Sequence, residues 1–500
     1  MRRVRGLFAL GLGGALTACA PICMLSACAL ICMLSACALG PNYKPPTPPA
    51  GATAPLAAAS PAATSPGPVP DVWWRLYDDP TLDALITQAF ADNQDLQTAE
   101  HNLAASRAIY EGARSGLLPQ TDIVSGATYG RDGTTDEILE LSGHKPQTIW
   151  LFDSLIDVSY ELDLFGHVRR SIEAARDQAQ AVAAARDSLR VTIAAETARA
   201  YGSICTLGEQ LDVANQALSL AARQQQIMQN RLAAGAGSQF DVVRAQVLVA
   251  QAQATLPPLQ GERQASLFEL AALLGETPQN APVAVMACVQ PPQLAAPLPV
   301  GDGAALLRRR PDVLEAERTL AGDTARIGMA VADFFPTVSL TGAGGTGGAS
   351  AKQFFAPSSF SYQVGPLITW NFPNVLVAKA EVVQAKAQAS ASIAQFDGVV
   401  LNALKETEQA LVTYDAELAR HAALVAGRDD NQRAFDLAQI QLQRGSISFP
   451  DLLVTERNLD DAKAQLAASN QALVDDQVAV FQSLGGGWQD APPVIPPKAP

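Results

Sequence analysis

Histidine is nearly absent from this 500-residue chain: His101, His144, His167 and His421 lie far apart and form no metal-ligand pair. Cysteine is just as scarce beyond the N-terminus. Five of the seven fall in the first 37 residues, and only Cys205 and Cys288 remain for the body. That excludes a disulfide scaffold and a zinc cluster. Aromatic residues make up 6% and charged residues 17%, against 48% hydrophobic, so alanine supplies much of the apolar count. Such a composition suits long, closely packed helices better than a compact enzyme. Positive charge is also short. A formal net charge of −14 excludes a nucleic-acid partner, which needs a basic face, and favours cations near any enclosed surface. No nucleophile elbow, Walker loop or zinc spacing occurs, and the glycine-rich Gly342–Gly348 lacks the helix-opening context of a phosphate loop. The chain reads as a non-enzyme with no cofactor.

The N-terminus is an export signal. Arg2, Arg3 and Arg5 are followed by an uncharged run from Gly6 to Leu39. Three cysteines each follow small residues: Leu16-Thr17-Ala18-Cys19, Leu25-Ser26-Ala27-Cys28 and Leu34-Ser35-Ala36-Cys37. Each has the form of a lipidation site, and a repeated nonapeptide (22–30 and 31–39) explains the surplus. Cys37 is the preferred site, with Cys28 and Cys19 as alternatives. An uncleaved membrane helix is the competing reading, since about 20 apolar residues span a bilayer. Ten prolines between Pro41 and Pro70 predict an extended tether rather than a packed core.

The body is duplicated. Asn93–Pro119 aligns with Arg310–Pro336 at one offset, with Asp95/Asp312, Ala99/Ala316, Glu100/Glu317, Leu103/Leu320 and Pro119/Pro336 identical. Gly235, Ser238 and Asp241 match Gly445, Ser448 and Asp451 at a slightly different one. Each half predicts the same order. A helix comes first (Pro80–Leu118 in the first half), then two strands. An alanine-rich helix follows over 166–234 or 374–444, then a glycine turn and a return helix. At 1.5 Å per residue, about 70 residues of helix reach about 100 Å.

Ser154–Phe165 alternates with period two: Ile156, Val158, Tyr160, Leu162 and Leu164 against Asp157, Ser159, Glu161 and Asp163. Phe360–Phe372 repeats the design, and Thr121–Gly130 and Thr337–Gly347 are weaker versions. Lengths and pattern suit the staves of an outer-membrane barrel, with apolar side chains to lipid and the acids Asp157, Glu161 and Asp163 to a watery lumen. Phe165, Trp370 and Phe372 would sit at the headgroups. Four staves cannot close a ring, so several chains must contribute. Three chains give a ring of about twelve, and two give about eight, too narrow for a channel.

At this point the residues resemble the TolC-like outer-membrane factors, in the NodT-type lipoprotein branch that serves resistance-nodulation-division (RND) pumps. The resemblance covers nearly the whole chain. It rests on Cys37 followed by Gly40-Pro41-Asn42-Tyr43-Lys44-Pro45, Trp73-Trp74 with Asp79-Pro80 and Leu82, Tyr160–Gly166, and Arg310-Pro311-Asp312 with Ala316-Glu317-Arg318. It implies a mainly α fold with membrane β: duplicated helical hairpins and four strands per chain, assembling as a trimeric 12-stranded barrel on an α-helical periplasmic barrel. The expected divisions are a signal peptide (1–36), a lipidated tether (37–78), two efflux repeats (79–277 and 302–484), an equatorial linker (278–301) and a tail (485–500). Residues 55–78, 275–304 and the tail would form an equatorial belt.

The resemblance also implies function. The chain would be the passive outer-membrane exit duct of a tripartite efflux system for drugs or other toxic small molecules, lipid-anchored, with a large periplasmic domain. Its partners would be two further copies, a periplasmic adaptor (membrane fusion protein), an inner-membrane RND pump and outer-membrane lipid, with no nucleic acid. Type I protein secretion and heavy-metal efflux are the alternatives; a coiled-coil structural lipoprotein would lack the strands. The periplasmic gate would lie at Asp451, mirrored by Asp241, where a ring of carboxylates selects cations; both residues also suit plain helix N-terminal carboxylates. Val454 replaces a second acid found in some relatives. Gly235, Ser238, Gly445 and Ser448 mark adaptor-docking turns. Cys205 and Cys288 are read as two buried free thiols, with a periplasmic disulfide as the alternative.

Overall fold

The computed structural model describes residues 38–489, apart from 132, 134–136, 138–139, 144, 146–147, 295, 371 and 373–374. Cys37, Cys28 and Cys19 lie outside the described residues, as does the signal sequence. The first half contains α1 (Pro80–Asp92), α2 (Gln94–Ser115), β2 (Gln120–Gly130), β3 (Ile149–Leu162), α3 (His167–Ala233) and α4 (Gln239–Leu273). The second half contains α5 (Gly303–Arg309), α6 (Pro311–Ala332), β5 (Thr337–Gly348), the short α7 (Ala351–Phe354), β6 (Phe360–Thr369), α8 (Val375–Gln443) and α9 (Phe449–Ser483). Two short strands, β1 (Thr64–Ser65) and β4 (Leu298–Pro299), pair in parallel.

The long helices end where their chemistry stops them. Gly235 and Gly445 take positive φ. After α3, the Gly235 and Ala236 amides donate back to the Leu232 and Arg231 carbonyls. After α8, those of Gly445 and Ser446 donate to Leu442 and Gln441. These crossed pairs are Schellman caps, which need a residue without a Cβ penalty in the left-handed region. The single first helix expected over Pro80–Leu118 is in fact two. Asn93 is extended between them; its Oδ1 accepts from the Asp95 and Leu96 amides and its Nδ2 donates to the Leu273 carbonyl. A side chain that caps one helix and ties its start to α4 competes with helix continuation. The second half breaks at the aligned position, Arg310, with Pro311 following.

The chain divides into two compact units. One holds the four-stranded sheet, with 38–46, Ala105–Gln180 and Glu317–Ala394. The other holds Thr47–Ala104, Ala181–Ala316 and residues from Gln395 onward. Its core brings Trp73 onto Phe481 at 4.7 Å, stacked, among Leu82, Ile86, Phe90, Ile204 and Leu270. The Tyr77 hydroxyl donates to Gln477 and Trp74 Nε1 to Asp83.

Two expectations are overturned here. The Pro/Ala-rich stretch is no free tether: Ala52, Leu56 and Ala63 are buried, and the Ala57 and Ala58 amides donate to the Glu408 carboxylate. Small side chains and preset proline backbones make a strap that lies flat at low entropic cost. The cysteines are bonded to each other, not free: Cys205 on α3 and Cys288 in the linker form a disulfide with Cα atoms 4.8 Å apart. A helix position and a linker position, distant in sequence, meet because Arg263 draws the linker in. Its guanidinium donates to the Met286 and Cys288 carbonyls and to Ile204.

Candidate functional site

The sheet runs β2-β3-β5-β6, all antiparallel. Directly paired residues share a face, so the register sorts the side chains. One face carries Ile123, Tyr129, Trp150, Phe152, Ile156, Val158, Tyr160, Leu162, Val338, Leu340, Phe360, Tyr362, Val364 and Ile368. Tyr362 is 78% exposed, Val364 73% and Ile123 71%. So many exposed large apolar side chains on one face need an apolar solvent or partner. Aromatic pairs lie near both ends: Tyr129–Trp150 and Phe360–Tyr362 at the loop end, Phe165–Phe335 and Trp370–Phe372 at the helix end. Paired aromatic belts around an apolar band are the signature of a bilayer-spanning sheet.

The opposite face carries Asp122, Asp153, Asp157, Ser159, Glu161, Ser339, Thr341, Ser361 and Gln363. Asp157 and Glu161 stand where the alternation placed them. Asp163 does not. It lies past the end of β3, and its carboxylate accepts from the Val168 and Arg169 amides and from Arg169 Nε at 3.0 Å. It is a helix cap, because the strand ends one residue earlier and four N–H groups of α3 need partners. Asp122 and Asp153 are additions. Asp122 sits directly across from Asp157, which only the register reveals. Among the described residues both outer strands, β2 and β6, keep one edge unpaired.

At the hairpin tips, Ser238 caps α4: its Oγ accepts from the Asp241 amide and donates to the Asp241 carboxylate at 2.7 Å. Ser448 and Asp451 form a reciprocal capping box on α9, with the Ser448 amide donating to Asp451 Oδ2 at 3.0 Å. The Ser448 hydroxyl, then its amide, hold the exposed Asp451 carboxyl below the usual range. Asp451 is thus ionised at any physiological pH. Above the tips, α3, α4 and α9 line an open groove of about 680 Å³. It is walled by Val213, Ala217, Leu248 and Leu453, with Glu456 and Asp460 on one side. Burial, then the nearby Asp460 charge, pushes Glu456 up to about 7 against the opposing hydrogen bond from Gln224.

No described helix is long and apolar enough to cross a membrane. Comparison with known proteins is consistent in every direction. A family model described as outer membrane efflux protein matches residues 85–276 and 304–486. The solvent efflux pump outer membrane protein SrpC of Pseudomonas putida is 28% identical over 431 residues, 83% of this chain and 87% of that protein. Nodulation protein T of Rhizobium leguminosarum bv. trifolii is 28% identical over 463 residues, covering 90% and 94%. Among solved structures, the outer-membrane channel OprN superposes with a TM-score of 0.82 at 32% identity, covering 91% of this chain and all of that one. The open-state MtrE channel of Neisseria gonorrhoeae gives 0.78 at 26%, covering 90% and 99%.

Proposed function

The chain belongs to the outer membrane efflux protein family and is the outer-membrane channel of an efflux system, not an enzyme, and from that premise we propose that three copies form one lipid-anchored tunnel. The observation that carries the proposal is the open sheet: one greasy face, one acidic face and two unpaired edges. In hydrocarbon every backbone group must be paired, so β2 of one copy must meet β6 of the next. With four strands per chain, three copies close a ring of about twelve, wide enough for a water-filled lumen. The acids Asp122, Asp157 and Glu161 would then line that lumen.

The periplasmic end would be the helix tips. Three Asp451 carboxylates around the axis make a negative ring, with the Asp241 set behind it, and both carry capping roles as well. The turns at Gly235–Ser238 and Gly445–Ser448 are the docking points for a periplasmic adaptor that joins the duct to an inner-membrane RND pump. Relatives are named for efflux of solvent and toluene and for export of pyoverdine, so organic small molecules are the proposed cargo. Lipidation at Cys37, with Cys28 and Cys19 behind it, supplies the anchor after the signal (1–36) is removed. The efflux repeats 79–277 and 302–484 are read as copies of one unit, supported by the same order of a broken helix, two strands and two long helices in each half, with the short α7 added between the strands of the second.

Deletion of the gene in a strain without redundant ducts should lower resistance to solvents, dyes or antibiotics at least several-fold; unchanged susceptibility to all of them overturns the assignment. Asp451→Ala should raise single-channel conductance of the reconstituted trimer or weaken its block by divalent cations. Unaltered conductance and block remove Asp451 from the gate.

A further inference from the structure

We propose that residues 39–43 are a docked peptide whose seat, built around Arg170, fixes the lipidated N-terminus at the foot of β3. The inference rests on the lipid-anchor reading above. Arg170 lies on the first turn of α3 and its side chain is 3% exposed. Its Nε donates to the Leu39 carbonyl at 3.1 Å. Its Nη2 donates to Asn42 Oδ1 at 2.8 Å and to the Gly40 carbonyl at 3.5 Å. Glu173 holds Nη1 at 2.7 Å. Burying a guanidinium is costly unless its donors are satisfied. Here one carboxylate neutralises it, and the remaining described bonds all go to a segment 128 to 131 residues earlier in the chain.

The seat is also shaped for backbone. Gly40 has φ +89°, and a Cβ there would lie 2.5 Å from Gly328 Cα. Gly166 has φ +85°, and a Cβ there would lie 2.6 Å from Ala38 Cα. A Cβ on Gly328 would run into Arg170 Nε at 2.7 Å. Three glycines from three parts of the sequence thus let one irregular segment, bent at Gly40, lie against α3 and α6. The Leu39 amide donates to the Phe165 carbonyl at 3.2 Å, and the Tyr43 hydroxyl to Glu317 Oε1 at 3.0 Å. The same Phe165 stacks on Phe335, 4.6 Å between rings, at the helix end of the sheet.

Chain length makes this a matter of distance. Leu39, which is pinned, is two residue steps from Cys37, a reach of about 7 Å; from Cys28 the reach is about 40 Å and from Cys19 about 70 Å. Only acyl chains on Cys37 are confined beside the Phe165–Phe335 pair. Arg170 is therefore a positioning residue for the anchor: it sets where the lipid enters the leaflet relative to the sheet.

The test uses the full-length protein in cells fed a palmitate analogue with a photoactivatable diazirine and a clickable tag. Irradiation should crosslink the acyl chain, within the same polypeptide, to peptides covering 160–166 or 334–340. Arg170→Ala and Gly40→Val should each reduce that crosslink at least fivefold while labelling persists. Hydrogen exchange at 38–45 should be slow in the wild type and in Cys37→Ser, and fast in both seat variants. Labelled protein whose crosslinks and exchange are unchanged in both variants overturns the seat. Should Arg170→Ala lose protection along α3 as a whole, Gly40→Val, which leaves Arg170 in place, decides. Absence of any label on Cys37 in the wild type would instead sink the anchor reading, with the slow exchange at 38–45 still in place.

Discussion

Asp163, Asp241 and Asp451 are all carboxylates in the first turn of a helix or just before one, and their surroundings separate their work. Asp163 accepts two backbone N–H bonds and pairs with Arg169. Asp163→Ala should cost about 1–2 kcal/mol through the lost cap, read as a lower unfolding temperature with conductance unchanged. Glu456 differs in kind. Its carboxyl is buried in the groove between α3, α4 and α9, and burial raises it to about 7. A raised folded pKa means that the native state binds a proton more readily than the unfolded chain. The stabilisation is complete below the unfolded value near 4.5 and is lost as pH rises through 7. Glu456→Gln should therefore raise the melting temperature at pH 8 by a few degrees and leave it unchanged at pH 4.5. An equal shift at both values would remove the carboxyl from pH-dependent stability. Asp476, pushed to about 6 by burial and by Glu417 and Asp475, adds to the same trend in the same direction.

At the scale of elements, the strands and long helices were legible because their periods are strong. The two-residue alternation around Asp157 and the alanine-rich runs after Gly166 gave boundaries within a few residues of those observed. Asn93 was not legible as a break. Its role depends on a carbonyl at Leu273, 180 residues away, which no local pattern contains. The disulfide escaped for a related reason. Spacing says nothing about proximity, and the clamp that brings Cys288 to Cys205 is Arg263, whose bonds to Met286, Cys288 and Ile204 no local pattern contains. Asp163 was misplaced because alternation carries on smoothly past the point where the ladder ends. The first half alone carries the staple: the position aligned with Cys205 in the second half is Asp415. Cys205→Ser should therefore lower stability by about 2–5 kcal/mol, as loss of a crosslink over a loop of this size does. The measurement is a melting curve beside wild type in oxidising and reducing buffer. Equal melting of wild type under both conditions would mean the bond contributes nothing.

For the molecule as a whole, the sheet's two faces make opposite demands on neighbouring positions. Val364 lies on the greasy face and Gln363 on the acidic one. Val364→Lys should cost about 2–4 kcal/mol at mid-membrane depth and keep the assembled barrel from inserting, read as loss of channel activity and of protease-protected strands. Gln363→Lys should insert normally and shift ion preference toward anions. Equal insertion of the two would contradict the assignment of the faces. What composition could foretell at this scale was a body of long, alanine-rich, closely packed helices. Composition alone did not foretell that the Pro/Ala stretch lies on the body, since such a run is equally at home in solvent; only the resemblance placed 55–78 in a belt. The deciding bonds, donated by the Ala57 and Ala58 amides to the Glu408 carboxylate, reach into the other half of the chain.

The unpaired rims of β2 and β6 have a genetic corollary. In the proposed trimer, a polypeptide whose sheet cannot shut alone has no resting place in oil by itself, so insertion and assembly are a single event and every seat in the ring must be filled by a competent copy. A defective chain that still docks spoils its neighbours. With equal expression of sound and Val364→Lys copies, functional pores should fall to roughly one in eight rather than one in two, the product of three independent draws for a threefold ring.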